Sequence, residues 1–329
     1  MDFRKLGNSD LEVSSISMGC WAIAGGSTWG PQDDRDAIDA IRTGYDCGIN
    51  FFDTAEGYGD GYSEKLLGKA VKDFRQEVII ASKVSRSNLA PEDLRKSCEN
   101  SLRRLNTDYI DVYYIHWPSR EVPFADTLET LYQLKKEGKI RSVCCSNFGK
   151  NDLTELLEQG QVDANQLPYN LLFRAIEYEI QPICVENDVS ITCYSPIAQG
   201  LLTGKFNSLE EVPEGRARTR HFSKERPQVR HQEEGAEEET FTAIKKIKEI
   251  SQESGIKMVH LALSWLLYQD GVTSVIVGAR NPEQIRENAR AGEISLSRDI
   301  IKELTESTDK LKQALGKNPD MWQSDSRYN

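Results

Sequence analysis

An alternation constrains this chain more than anything else in it. Short apolar runs with β-strand character recur along most of its length. Most neighbouring runs are separated by one stretch with the apolar periodicity of an amphipathic helix. The strand-like runs are 15–20, 49–53, 78–83, 110–116, 141–146, 162–166, 190–195 and 274–278. The helix-like stretches between and after them are 35–47, 63–74, 91–105, 125–137, 151–158, 176–187 and 282–291. Pro91-Glu92 and Pro282-Glu283 place a proline and an acid in a first turn, a good helix start. Eight parallel strands with crossover helices predict an α/β fold, a closed (β/α)8 barrel of the TIM type. The competing architecture is an open doubly wound sheet, which is weakened because no strand is followed by G-x-G-x-x-G.

The rest of the chain decorates that frame. Residues 1–13 alternate weakly around Asn8-Ser9-Asp10 and predict a hairpin over the bottom of the barrel. A polar insert at 207–240 begins basic (Arg216, Arg218, Arg220, His221, Lys224, Arg226, Arg230) and ends acidic (Glu233, Glu234, Glu237, Glu238, Glu239). A loop this long in a compact domain is functional or disordered. An extra helix is expected at 260–269 before the eighth strand and another at 298–315 near the C-terminus, followed by a polar tail at 316–329. The whole of 1–329 reads as one barrel domain, with insert and tail near the active-site face.

Composition narrows the partners. A formal net charge of -11 argues against nucleic acid, which needs a basic face, but leaves room for a local anion site. The 7 cysteines form no C-x-x-C pair and read as reduced thiols. No metal centre is expected. The first residues lack the apolar core of a leader, and no run approaches the roughly 18–20 apolar residues of a membrane span, so a cytoplasmic protein without a membrane partner is expected. No heptad or interface stripe specifies an oligomeric state.

Chemistry is concentrated where the strand-like runs end. Asp53, Lys83 and His116 stand at or just past such ends, and Tyr58 follows in a Gly-rich loop. With Asn147, Gln166, Tyr194 and the Gly278-Ala279-Arg280 turn they should share one rim, the face where barrel enzymes collect catalytic groups. A free phenol has a pKa of about 10. An adjacent Lys83 cation is expected to lower that of Tyr58, with Asp53 fixing the lysine. Tyr58 is then a general acid, and His116 can hydrogen-bond a carbonyl oxygen.

The stretches NFFDTAEGYGDGYSEKLLGKA (50–70), VIIASKV (78–84), SLRRLNTDYIDVYYIHWP (101–118), GKIRSVCCSNF (138–148) and YSPIAQGLLTGK (194–205) resemble the aldo-keto reductase superfamily, most closely its bacterial members of sugar, inositol and stress metabolism. The resemblance covers nearly the whole chain. It implies a barrel that binds a nicotinamide cofactor without a Rossmann fold, with Asp53, Tyr58, Lys83 and His116 as the catalytic tetrad. Asp53 also borders the cofactor. Ser146, Asn147 and Gln166 would hold the nicotinamide carboxamide, and Tyr194 would stack on the ring. Cys20 and Trp21 would line the adjoining ribose. Ser195, Pro196, Ile197, Gly200, Leu201 and Lys205 would follow the pyrophosphate. Gly278, Ala279, Arg280, Gln284, Glu287 and Asn288 would border the adenosine, with Arg280 gripping a 2′-phosphate, so NADPH is expected over NADH.

The implied reaction is hydride transfer to an aldehyde or ketone, reversibly from an alcohol or sugar. Trp29, Tyr62, Trp117, the insert, and Trp322 and Arg327 of the tail are expected around a small-molecule carbonyl or sugar substrate. Cys20 replaces a threonine common in relatives, and Cys144 a glycine. Two other readings stand beside the reductase: a redox-sensing subunit of a membrane channel that binds cofactor with little turnover, and an aldolase using Lys83 as a Schiff base.

Overall fold

The computed structural model describes residues 1–329, the side chains of Ser27 and Thr28 excepted. Two short strands come first. β1 (Phe3–Lys5) and β2 (Glu12–Ser14) pair antiparallel, with Arg4 opposite Val13. Their turn passes through Gly7 at φ +51°, where a Cβ would stand 2.1 Å from the Asp163 carbonyl oxygen. Only glycine lets the hairpin lie so close to the barrel.

Eight parallel strands follow: β3 (Ile16–Gly19), β4 (Phe51–Asp53), β5 (Ile79–Val84), β6 (Ile110–Ile115), β7 (Ile140–Ser146), β8 (Ala164–Pro168), β9 (Ser190–Tyr194) and β10 (Val272–Gly278). They pair in chain order and the sheet closes where β10 meets β3, Val277 opposite Met18. This is the expected (β/α)8 barrel, and its closure rules out the open sheet. The helices between the strands are Asp34–Asp46, Tyr62–Val71, Pro91–Leu105, Phe124–Lys136, Lys150–Gln159 and Ile180–Glu186, with Glu237–Ser254 and Met258–Leu266 before β10.

Alternate residues of a strand face opposite sides of a sheet. Phe51, Ile79, Ala81, Val112, Tyr114, Cys144 and Ala164 face inward and meet Leu6, Leu11 and Val13 of the hairpin in one buried cluster, the floor of the barrel. The residues between them, such as Phe52, Ile80, Tyr113, Val143 and Leu167, belong to the larger core under the helices. Burial of each such side chain contributes roughly 1.5–3 kcal/mol. Two positions beyond the floor, on the same parity, stand Asp53, Lys83, His116, Ser146 and Gln166. The site is therefore the top layer of the stack whose lower layer is apolar core.

Two expected helices are broken. The stretch 176–187 is a 3-10 turn, Ala175–Tyr178, and then helix Ile180–Glu186. The stretch 298–315 is two helices, Arg298–Ser307 and Asp309–Leu315. Buried Arg174 explains the second break. It donates to the Thr305 carbonyl at 2.8 Å, to Thr308 Oγ1 at 3.0 Å and to Asp309 Oδ1 at 2.8 Å, so a guanidinium engages one backbone carbonyl of the last turn and two side chains at the junction.

The insert has little regular structure before Glu237, but its two halves are partly joined. Arg220 pairs with Glu233 at 2.8 Å, Lys224 with Glu234 at 2.5 Å and Arg226 with Glu237 at 3.4 Å. The buried Arg220 also donates to the carbonyl oxygens of Leu315 (2.7 Å) and Asn318 (2.9 Å), tying the insert to the tail. Among the described residues no helix is long and apolar enough to cross a membrane.

Candidate active site

At the rim of β4, β5 and β6 four side chains converge. Lys83 Nζ lies 2.6 Å from Asp53 Oδ1, 2.7 Å from the Thr54 carbonyl oxygen and 3.2 Å from the Tyr58 hydroxyl. An ammonium has three protons to donate, so all are committed, the last to the phenolic oxygen. Tyr58 thereby keeps its own O–H for a partner on the mouth side. Gln166 Nε2 holds the other oxygen of Asp53 at 2.8 Å. The Tyr58 ring stacks on Trp21 (centroids 5.9 Å apart, 26° between planes) and stands edge-on to His116 (5.9 Å, 79°). Asp53 and Lys83 are buried, whereas Tyr58 and His116 are half-buried at the mouth.

The electrostatics follow from that burial. Desolvation raises the Tyr58 phenol above its ordinary value, and Lys83 pulls it back without reversing the shift. This corrects the expectation of a lowered phenol: one cation, already balanced by Asp53, does not outweigh the loss of water around a phenolate. Burial also opposes the Lys83 charge, but Asp53 and Tyr58 together outweigh it and hold the ammonium above its usual range. His116 is depressed to about 3, chiefly by burial and then by Lys83, so its imidazole is neutral at physiological pH.

The loop that carries Tyr58 is anchored by residues beyond it. Thr54 Oγ1 donates to Ser63 Oγ at 2.8 Å, and Ser63 Oγ to the Cys20 carbonyl at 2.6 Å. Buried Glu64 accepts from Ser82 Oγ of β5 at 2.6 Å and from Arg104 Nε at 2.5 Å. The Ser-Glu pair in the 50–70 stretch is thus a clamp between loop, strand and the Pro91–Leu105 helix. It was not singled out for that role from sequence.

Ser146, Asn147 and Gln166 do come together. Asn147 Nδ2 donates to the His116 carbonyl (2.9 Å) and to Ser146 Oγ (3.0 Å), and Ser146 Oγ donates to the Gln166 carbonyl at 3.0 Å. Asn147 Oδ1 accepts from two phenols, Tyr194 at 2.8 Å and Tyr328 at 2.6 Å. Tyr328 belongs to the tail and was missed from sequence, since no local pattern marks one tail tyrosine for burial in the mouth. Two other tail residues, Trp322 and Arg327, pack beside it. Trp322 stacks on Tyr194 (6.1 Å, 9°), and the Arg327 guanidinium lies 4.0 Å from the centroid of Trp117. Arg327 is already paired with Asp320 at 2.6 Å.

On the opposite side Trp29 meets Trp21 edge-on (5.3 Å, 88°). Among the described residues its buried indole Nε1 has no partner. Tyr62 is exposed, with its hydroxyl on Asp34 at 2.8 Å. Cys20 has no exposed surface and its thiol is held protonated by burial, so its side chain is core.

The segment after β9 turns through Ser195, Ala198 and Gln199 at positive φ, a costly conformation for residues with a Cβ. At Gly200, φ +97°, a Cβ would meet Arg216 Nη1 at 2.8 Å and Lys205 Nζ at 3.2 Å. Arg216 donates to the Gln199 carbonyl at 2.7 Å, and Arg218 reaches Gln199 Oε1 at 3.4 Å while its buried Nε has no partner. Burial and then Arg216 lower Lys205, and burial and then Arg230 lower Arg218. This is a knot of cations around a glycine cradle, without the carboxylate partners that Arg220, Lys224 and Arg226 find. It fits an anion. Arg216 and Arg218 were seen from sequence only as part of a basic stretch.

At the end of β10, Asn288 Nδ2 donates to the Gly278 carbonyl at 3.2 Å, and Glu287 is occupied by Lys257 (2.6 Å) and Arg290 (3.0 Å). Arg280 is folded against the 29–32 loop. Its Nε donates to Gln32 Oε1 at 2.7 Å, Nη1 to the Trp29 carbonyl at 2.9 Å and Nη2 to the Pro31 carbonyl.

Residues 15–309 match the model of the Aldo/keto reductase family. The chain is 34% identical over 332 residues to the NADH-specific methylglyoxal reductase of Escherichia coli, covering 93% of this chain and 98% of that one. It is 28% identical to a probable voltage-gated potassium channel subunit beta of Arabidopsis thaliana, covering 97% and 98%. An aldo-keto reductase from Klebsiella pneumoniae solved with NADPH superimposes with a TM-score of 0.75 at 26% identity, covering 97% and 99%. Barrel, rim and sequence agree: the chain belongs to the aldo/keto reductase family.

Proposed function

We propose that the chain is a nicotinamide-dependent oxidoreductase that reduces aldehydes and ketones, and in reverse oxidises alcohols or sugars, with Tyr58 as general acid and base. One observation carries this reading: the Lys83 ammonium, fully committed to Asp53, Thr54 and Tyr58, beside a neutral imidazole at the open end of the barrel. The cofactor supplies the hydride when bound. His116 offers a hydrogen bond to the carbonyl oxygen and orients it. Tyr58 gives that oxygen its proton, and Lys83 steadies the negative charge left on the phenolic oxygen while Asp53 keeps the lysine in place. A positioned acid of this kind is typically worth about 10²–10⁴ in rate.

The donor set suits a dinucleotide. Ser146, Asn147 and Gln166 carry the amide and hydroxyl chemistry for a carboxamide, once Asn147 Oδ1 is released by one of its phenols. Tyr194 offers an aromatic face. Lys205, Arg216 and Arg218 would take the pyrophosphate. Arg280 is the residue that favours NADPH, and the relatives divide on this point: one is named NADH-specific, and one was solved with NADPH. A Schiff base on Lys83 is disfavoured, because that nitrogen has no exposed surface and all its protons are assigned. The channel-subunit relative favours a second reading, a cofactor-holding subunit with little turnover.

Titration with NADH and NADPH by nicotinamide fluorescence, followed by a panel of aldehydes, tests the proposal. Binding with turnover, and Tyr58→Phe that still binds but no longer turns over, is the expected result. No binding of either cofactor sinks it. Tight binding without turnover on any carbonyl moves the weight to the channel-subunit reading.

A further inference from the structure

The side-chain amide of Asn147 has no hydrogen-bonding capacity to spare. Its two Nδ2 protons go to the His116 carbonyl at 2.9 Å and to Ser146 Oγ at 3.0 Å. Its Oδ1 offers two lone pairs, and both are filled, by the hydroxyls of Tyr194 at 2.8 Å and Tyr328 at 2.6 Å. A carboxamide can therefore bind Asn147 only where one of these four partners withdraws. His116, Ser146 and Tyr194 stand on or just past β6, β7 and β9, and the barrel holds them in place. Tyr328 comes from the 316–329 tail, which has neither helix nor strand.

The tail covers the aromatic seat as well. Trp322 lies parallel to the Tyr194 ring, and Tyr328 stands edge-on to Trp117 (5.3 Å, 75°). Other contacts hold the tail in this position. Asp320, fully buried, accepts from Arg327 Nε at 2.6 Å, Arg327 Nη2 at 2.8 Å and the Trp322 amide at 3.0 Å. The Arg220 amide donates to the Met321 carbonyl at 2.9 Å. Asn329 N donates to Asp152 Oδ2 at 2.9 Å, and the Asn329 carbonyl accepts from the amides of Asn151 (2.8 Å) and Asp152 (2.9 Å). Gly149 leaves room for this end: a Cβ there would stand 2.6 Å from the Asn329 carbonyl oxygen and 3.0 Å from Tyr328 Cβ.

Resting on the proposed nicotinamide function, we infer that the tail is an internal competitor of the nicotinamide. The Tyr328 phenol takes the Asn147 oxygen, and Trp322 the Tyr194 ring, that the nicotinamide end of the cofactor would take. Cofactor entry displaces them, and they return when it leaves. A buried acceptor stripped of its partner is costly, so a bare seat would hold its cofactor tightly. The phenol refills the seat and eases release. The competition is confined to the nicotinamide half, because at the rim the tail meets Asn147, Tyr194 and Trp117.

The test compares each cofactor with the same molecule lacking its nicotinamide. Dissociation constants of NADH and ADP-ribose, and of NADPH and 2′-phospho-ADP-ribose, are measured by calorimetry in wild type, Tyr328→Phe and Gly149→Ser. Tyr328→Phe removes the competing hydroxyl and keeps the ring against Trp117. Gly149→Ser keeps a residue able to cap the Lys150–Gln159 helix and adds the Cβ that unseats Asn329. Both variants should bind the full cofactors about three- to tenfold more tightly, the scale of one net hydrogen bond. The nicotinamide-free fragments should bind as they do to wild type, which also shows that the barrel is intact. Full cofactors bound no more tightly by either variant, or more weakly by Tyr328→Phe, overturn the inference and leave the oxidoreductase reading intact. Wild type that binds neither cofactor removes the functional proposal and the inference together.

Discussion

Lys83 and Arg216 are cations at the mouth of one barrel in opposite circumstances. Lys83 is fully buried, with Asp53 at 2.6 Å and its remaining protons on Thr54 and Tyr58. Arg216 has the Gln199 carbonyl and Arg218 the Gln199 amide oxygen but no carboxylate, and burial first, then like charge, depresses Lys205 and Arg218. The first cation is completed by the chain itself and arranged before any ligand arrives. The second group lacks a carboxylate partner among the described residues, and an anion from outside would complete it. Under the proposed function, catalytic geometry would be fixed inside the protein, while binding energy would be held back for a ligand.

The largest effect should come from breaking the completed pair. Lys83→Met leaves the Asp53 carboxylate in a buried setting with only Gln166 to bind it, and loss of one partner from a buried ion pair costs about 3–5 kcal/mol. Denaturation midpoints should fall accordingly and carbonyl reduction should be lost. Adding Asp53→Asn removes the stranded charge. Stability should then largely return while activity does not. If the single variant is as stable as wild type, the pair is not the preorganised element described here.

The anion group should behave in the opposite way. Inorganic pyrophosphate at about 100 times its Kd should raise stability by about 2.7 kcal/mol through linkage, seen as a rise of a few degrees in the thermal midpoint. Arg216→Gln with Arg218→Gln should abolish that rise. Without ligand the variant should be no less stable than wild type, because a repulsion is relieved. A variant that loses stability without ligand and still responds to pyrophosphate would place the anion elsewhere.

The difference between the two regions also explains what could be read from the sequence. Asp53, Lys83, His116, Ser146 and Gln166 continue the period-2 pattern of the strands beneath them, so strand position alone places them at one rim. Tyr58 has no such periodicity, and it stood out through its motif, whose Ser63 and Glu64 prove to be the clamp. Tyr328 on Asn147, Arg220 on the tail and Arg280 on the 29–32 loop are contacts between segments far apart in the chain, and no local pattern encodes them. Arg280 could be read from sequence only as a free guanidinium, because its partners Trp29, Pro31 and Gln32 lie far away in the chain. The break at Thr308 was hidden similarly, since Arg174, which meets it, lies more than a hundred residues earlier in the chain.

The smallest expected effect compares the two regions through their histidines. His116 at the catalytic rim is depressed to about 3, mainly by burial, and His221 in the insert to about 4, also mainly by burial. In the unfolded chain both return to the ordinary value of 6.5. Between 6.5 and those folded values the unfolded state binds protons that the folded state refuses, so stability rises with pH across this window. The contribution is complete above about 6.5 and is lost as the pH falls toward 4 and then 3. Between pH 6.5 and 5 most carboxylates stay ionised, so denaturant titrations there should isolate the histidines. Replacing His221 by Gln should reduce the slope of stability against pH by about one proton, and replacing His116 by Asn should do the same. Reduction of a neutral aldehyde by wild type should show no kinetic limb near pH 6.5, because His116 does not titrate there. An acid limb close to 6.5, abolished in His116→Asn, would mean that the imidazole is solvated like a surface histidine and that the rim is less dry than the Lys83 pair implies.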